Sequence, residues 1–272
     1  MKQADFAACT YDKMNTKNEA KLIGDWHRYS HRYSNRNEGY TAMNKRKIKI
    51  IKNGPYKVTG NVPMREKIIV PKGNQYEYRD GKEFPDDDSY LLCRCGHSKK
   101  HPFCDGTHSK INFDGTETAS KKTFKERAEV LEGPGINLLD DGRCAYARFC
   151  HRNDGDAWEL TEQSDDERLR EEAIIAAKEC PAGRLLAVTK NNDDIEPELD
   201  PSIDILQDEE LNVSGPIYVK GYIPIEAADG DVYEVRNRQT LCRCGKSKIK
   251  PFCDSTHVKS NFRDYGLDDK NH

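Results

Sequence analysis

The sequence predicts an α+β protein made of two small β-rich units with a helix-bearing α+β segment between them, and three observations carry that reading. Residues 93–113, CRCGHSKKHPFCDGTHSKINF, and residues 242–262, CRCGKSKIKPFCDSTHVKSNF, agree at fifteen of 21 positions without a gap. A second shared element precedes each copy, NGPYKVTGNVPM from Asn53 and SGPIYVKGYIPI from Ser214. Hydrophobic residues are only 35% of the 272 and charged residues 33%, which suits small units braced by metal better than one large core.

Taken in order, residues 1–46 are polar apart from Leu22, Trp26, Tyr29 and Tyr33, which fall on the seam of a short amphipathic helix. Cys9 stands alone and reads as structural or incidental. Residues 47–122 form the first repeat unit, where Val, Ile and Tyr alternating around Gly and Pro predict short strands and turns, with another strand at IIV, residues 68–70. Residues 123–190 change character. Ser164 with Glu167 makes a capping box, and Leu169, Ala173, Ala176, Ala177 and Cys180 share one face of a helix that Pro181 and Gly183 end. Residues 191–210 hold nine acids and no Lys or Arg, a solvated linker by composition. The second unit spans residues 211–272, with VYEV at 232–235 as a further strand.

Composition also excludes function classes. Lys plus Arg number 44 against 47 Asp plus Glu, a net charge of −3, so no one-signed field marks a nucleic-acid or anionic-membrane binder. The N-terminus lacks a basic start followed by an apolar run, and no stretch approaches the ~20 apolar residues of a membrane span; the expectation is a cytoplasmic protein. In a reducing compartment cysteines at short spacings, which several of its ten have, read as metal ligands before disulfides. There is no Ser/His/Asp arrangement, phosphate loop or dinucleotide fingerprint, so the expectation is not an enzyme.

Each repeat offers Cys-x-Cys, eight residues, then Cys-x3-His: Cys93, Cys95, Cys104 and His108, and Cys242, Cys244, Cys253 and His257. Three thiolates and an imidazole complete a tetrahedral set for one Zn²⁺, or supply two ligands to each iron of a [2Fe–2S] cluster. Gly96 and Gly245 permit the sharp turn that lets the Cys-x-Cys sulfurs converge, and the four-residue Cys-to-His spacing puts that pair on one helical face. Both metals remain open on spacing.

The string C-x-C-x2-S-x3-P-x-C-D-G-T-H resembles the CDGSH, or NEET, family. It is matched at Cys93, Cys95, Ser98, Pro102, Cys104, Asp105, Gly106, Thr107 and His108, and again at Cys242, Cys244, Ser247, Pro251, Cys253, Asp254, Thr256 and His257, with Ser255 where the family has Gly. The resemblance implies a [2Fe–2S] cluster in each quartet. It also implies small β-rich units joined as an intrachain pseudo-two-fold pair, so that one chain, as a monomer, replaces a homodimer. An imidazole ligand competes for protons near neutrality, so acid should loosen the iron held by His108 or His257. Arg94, Lys99 and Lys100 around one loop and Arg243, Lys246, Lys248 and Lys250 around the other would raise the potential or meet an acidic partner.

Three cysteines remain, Cys144, Cys150 and Cys180, in CAYARFC and ECPAG. They keep the outer spacing of C-x2-C-x2-C plus a distant Cys-Pro, with Ala147 in the middle place. The segment resembles a divergent branch of the single-cluster ferredoxins. With one anchor missing it implies a [3Fe–4S] cluster, or a [4Fe–4S] cluster if solvent, His151, Asp140 or Asp141 fills the corner. Acids outnumber bases over residues 140–172, opposite in sign to the repeated loops. The expected function is electron transfer with redox partner proteins; the alternatives are a carrier or sensor serving apo iron–sulfur acceptors, and a zinc-stabilised interaction module.

Overall fold

Apolar alternation becomes strand wherever one face meets a core. A computed structural model describes residues 46–264, so Cys9 and the predicted seam through Leu22, Trp26, Tyr29 and Tyr33 lie outside the described residues. The first repeat opens with β1 (Lys47–Ile50) and β2 (Tyr56–Thr59). Ile48, Ile50, Tyr56 and Val58 are fully buried while Lys47 and Lys57 face solvent, the period of two of a half-buried sheet. The hairpin of β3 (Met64–Lys72) and β4 (Gln75–Glu83) takes in the predicted strand at 68–70, and β5 (Ser89–Leu92) leads into the first cysteine loop. Single helical turns α1 (Thr107–Lys110) and α2 (Phe124–Arg127) follow.

The middle segment holds β6 (Glu129–Glu132), β7 (Ile136–Asp140), the ribbon β8 (His151–Arg152) and β9 (Gly155–Asp156), then α3 (Ala157–Glu162), α4 (Glu167–Glu179), β10 (Leu185–Thr189) and β11 (Asp194–Ile195). The predicted helix is α4, and Ala173, Ala176 and Ala177 are its buried face. Its N-cap is Asp166, not Ser164: the Asp166 carboxylate accepts from Arg168 N and Leu169 N. Ser164 Oγ instead accepts from Gly135 N at 2.9 Å and Ile136 N at 3.3 Å, tying the helix entry to the turn before β7.

The second repeat contains β12 (Ser202–Asp208), β13 (Val213–Lys220), β14 (Ile225–Glu226), β15 (Arg238–Leu241) and the turn α5 (Thr256–Lys259). Here the acidic-linker reading of residues 191–210 is corrected, because β12 is an interior strand. Ile203 and Ile205 are buried, and the acids are answered from elsewhere: Lys220 donates to Asp204 at 2.6 Å and Arg148 to Asp208 at 2.7 and 3.0 Å. The predicted strand at 232–235 is also corrected, since only Val232 forms a bridge, to Glu226.

Three sheets and a ribbon result, in orders β14–β1–β2–β5, β15–β13–β12–β3–β4, β11–β10–β7–β6 and β8–β9. The repeats exchange strands. β14 pairs parallel with β1, Ile48 opposite Ile225, and β3 pairs parallel with β12, Ile203 opposite Met64. Neither repeat completes its sheet alone, and the exchange builds one shared core in which Ile48, Tyr56 and Met64 meet Ile203, Ile217 and Leu241. A separate core lies between α3, α4 and the middle sheet. The fold is mixed, strand-rich and sparing of helix. Among the described residues no helix is long and apolar enough to cross a membrane.

Candidate metal centres

The motif residues between the ligands build the loops. Ser98 Oγ donates to Phe103 O and accepts from Lys100 N; Ser247 does the same with Phe252 and Ile249. Asp105 accepts from Lys99 N at 2.9 Å and Thr107 N at 3.0 Å, and Asp254 from Lys248 N at 2.8 Å and Thr256 N at 3.0 Å. The Pro102 and Pro251 carbonyls each accept from the first cysteine N–H of their loop at 2.8 Å. Backbone donors and acceptors that would otherwise be orphaned are thus satisfied inside each loop.

These loops bring every predicted ligand of a quartet together, in pairs. Cys93 Sγ lies 3.7 Å from Cys95 Sγ, and Cys104 Sγ 3.3 Å from His108 Nδ1. The second site repeats this at 3.6 Å and 3.4 Å. Two sulfurs on one tetrahedral metal with bonds of about 2.3 Å stand about 3.8 Å apart, and a sulfur and an imidazole nitrogen about 3.5 Å. The ligands of each quartet thus stand as a Cys–Cys pair and a Cys–His pair at chelating distances; among the described residues no group of three or more His, Cys, Asp or Glu side chains closes on one metal-sized point.

The charges are those of sites poised for a cation. Cys93 is held below the ordinary thiol range by the hydrogen bond from Cys95, whose own thiol is pushed up, and Cys242 and Cys244 behave alike. Burial raises Cys104 and Cys253, with the neighbouring thiolate adding to it. A full thiolate set therefore needs positive charge among the sulfurs. Burial, then the Arg243 charge, pushes the His257 imidazole down to about 4, so it remains a neutral donor well into acid.

Arg94 and Arg243 are turned into the protein rather than out to solvent. Both are 1% exposed. Arg94 donates to the carbonyls of Gly54, Gly115 and Ile51; Arg243 donates to those of Gly215 and Leu206 and pairs with Asp264. Arg94 anchors its cysteine loop to the turn between β1 and β2 and to Gly115, and Arg243 anchors its loop to β12 and β13.

In the middle segment Cys144 follows β7, Cys150 precedes β8 and Cys180 caps α4. Burial first, with the Cys180 and Cys144 charges adding to it, pushes the Cys150 thiol up to about 12, so the three share one locality. Asp140 and Asp141 are engaged by Arg184 and Arg127, and His151 is exposed on β8. Ala147 packs with Phe149, Leu206 and Tyr218, away from the core that Cys150 and Cys180 line. Sequence reasoning missed Arg238, which is buried and donates to the carbonyls of Ala177, Lys178 and Cys180 at 2.7, 2.7 and 2.9 Å. It holds the helix end that presents Cys180, and it is 58 residues away in sequence, beyond any local pattern.

The family of iron-binding zinc fingers of CDGSH type matches residues 53–109 and 214–258, and the divergent 4Fe-4S mono-cluster family matches residues 131–190. The chain carries two CDGSH segments around a mono-cluster segment. It is an iron–sulfur protein. No curated protein and no solved structure matches the chain.

The second CDGSH segment departs from the first at one backbone-critical position. Gly106 and Ser255 both cap their helical turns in the left-handed region, at φ 85° and 64°. An L-residue is strained there by about 1–2 kcal/mol, offset in part by the greater freedom that glycine loses on folding. Ser255→Gly is expected to raise stability by about 0.5–1 kcal/mol without changing iron content, read by thermal unfolding and metal analysis.

Proposed function

We propose that this chain is an electron carrier holding a [2Fe–2S] cluster in each CDGSH quartet and a [3Fe–4S] or [4Fe–4S] cluster on Cys144, Cys150 and Cys180. The observation that carries it is the pairing of ligands, Cys with Cys and Cys with His, which supplies two ligands to each of two irons and leaves neither pair to complete a single zinc. Bound clusters supply one-electron exchange. The side chains do the rest: the neutral imidazoles of His108 and His257 lower the negative charge each site carries and raise its potential. Arg184, beside Cys144, offsets thiolate charge in the middle segment. The exchanged strands β3 and β14 support an intrachain pseudo-two-fold pair, and Arg143, next to Cys144, stacked 4.2 Å over the ring of Phe252, next to Cys253, supports electron passage between the middle segment and the second quartet. Redox proteins are the expected partners, and no organic substrate is turned over.

Iron, sulfide and zinc analysis of anaerobically prepared protein with EPR tests this. Two irons and two sulfides per quartet, a signal from the two-iron sites on reduction, and an oxidised-state signal if the third site holds three irons are the expected result. Colourless protein with one zinc per quartet refutes it. A second reading, cluster delivery, is favoured by the partial exposure of Cys104 and His108; transfer of colour to an apo-ferredoxin faster than electron exchange would establish that reading instead.

A further inference from the structure

The two CDGSH sites share a motif but not an environment. At the second, Arg243 reaches back to the carbonyls of Gly215 and Leu206; at the first, Arg94 reaches in the same way to Gly54 and Ile51. Leu206 and Ile51 therefore hold equivalent places. The glycines agree: a Cβ on Gly54 would lie 3.0 Å from Ile51 Cγ2 and 3.6 Å from His108 Nε2, and one on Gly215 would lie 3.0 Å from Leu206 Cβ. Yet Leu206 is 0% exposed and Ile51 is 36% exposed.

The mono-cluster segment, together with Ile69 of β3, covers the second face. Ala147 and Phe149 pack on Leu206 and Tyr218, Arg148 grips Asp208, and Arg143 lies 4.2 Å over the ring of Phe252 beside Cys253. Among the described residues nothing comparable packs on Ile51 at the first site. Ile51 is exposed close to the Gly54 position that adjoins the His108 imidazole, Ile111, three residues beyond His108, is 44% exposed, and Lys52 and Lys110, next to them in sequence, are exposed, as are Lys99 and Lys100 in the same cysteine loop.

We propose that this face of the first site is the docking surface for a separate acidic iron–sulfur redox protein, which takes there the place the mono-cluster segment takes at the second site. The proposal rests on the electron-carrier reading. Ile51 is exposed where its counterpart Leu206 is covered by the mono-cluster segment, that cover shows that an iron–sulfur segment fits such a face, and the exposed lysines select carboxylates. One electron leaves the reduced partner and one is gained at the first site; no bond or proton moves.

The test mixes the full-length, cluster-loaded chain with a reduced acidic [2Fe–2S] ferredoxin in a stopped-flow spectrometer. Lys52→Glu/Lys110→Glu is expected to slow reduction at least tenfold at low salt, and Ile51→Ser/Ile111→Ser severalfold. The same charge change away from this face, Lys122→Glu/Lys259→Glu, is expected to stay within twofold of the unaltered chain. Carbodiimide cross-links to ferredoxin carboxylates are expected on Lys52, Lys99, Lys100 or Lys110. Equal rates in all variants, cross-links confined to Lys122 and Lys259, or a chain that dithionite reduces and the ferredoxin does not, each overturn the docking surface and leave the carrier reading intact. A chain that dithionite cannot reduce overturns both.

Discussion

Alanine at Gly96 or Gly245 is expected to empty both paired sites rather than one. Each glycine lies in the left-handed region, at φ 78° and 75°, where any L-residue is strained by about 1–2 kcal/mol. The steric clash costs more. A Cβ on Gly96 would come within 2.5 Å of the Cys244 carbonyl oxygen, and one on Gly245 would run into the Cys95 carbonyl. Each glycine thus abuts the backbone of the opposite loop's central cysteine. Backbone in a packed core cannot give way as a side-chain tip can, so the loops must part, at a cost of about 4 kcal/mol or more. Parting moves Cys95 and Cys244 together. Iron per chain and visible absorbance are expected to fall at both quartets for either substitution, with the thermal midpoint lowered. Loss confined to the mutated loop would show that the loops are independent.

That reciprocity was only half legible in the sequence. The repeat and its ligands were readable because the motif is local: Asp105 and Thr107, or Ser98 and Phe103, lie within a few residues of one another and satisfy one another's backbone. What escaped depends on partners far along the chain. The stretch containing β12 looks like a solvated acidic spacer until Arg148, 60 residues away, is placed on Asp208. Arg94 and Arg243 look like loop charges until their distant carbonyl acceptors, Ile51 and Gly54 for one and Leu206 and Gly215 for the other, are seen. Ser164 and Asp166 are both competent N-caps by residue type, and what separates them is the demand of Gly135 N and Ile136 N for an acceptor, a tertiary fact. The strand exchange itself has no local signature, because β3 and β14 alternate equally well against either repeat.

Arg243→Ala is expected to destabilise the chain by about 3–5 kcal/mol, the range for removing one partner of a buried charge pair. Burial alone would raise the Asp264 carboxyl; the Arg243 charge and hydrogen bond, with those from Gln207 and Ser214, override that and hold it well below the ordinary carboxylate range. Removing the guanidinium leaves Asp264 charged in an interior where it is 4% exposed, and it orphans the Gly215 and Leu206 carbonyls. The sign of the accompanying pH effect follows from the depressed value. The stabilisation is present above the unfolded aspartate pKa of about 3.9 and is lost as pH falls below it toward the folded value. Unaltered chain should therefore lose stability on acidification below about pH 4. Asp264→Asn should lack that part of the acid dependence while being less stable at neutral pH, where the charge pair is gone. Denaturant unfolding at a series of pH values measures both, and Arg243→Lys separates charge from geometry: an ammonium restores the charge but cannot reach two carbonyls and a carboxylate at once. Full rescue by lysine would mean that the fork of hydrogen bonds contributes little and that charge neutralisation alone holds the second cysteine loop.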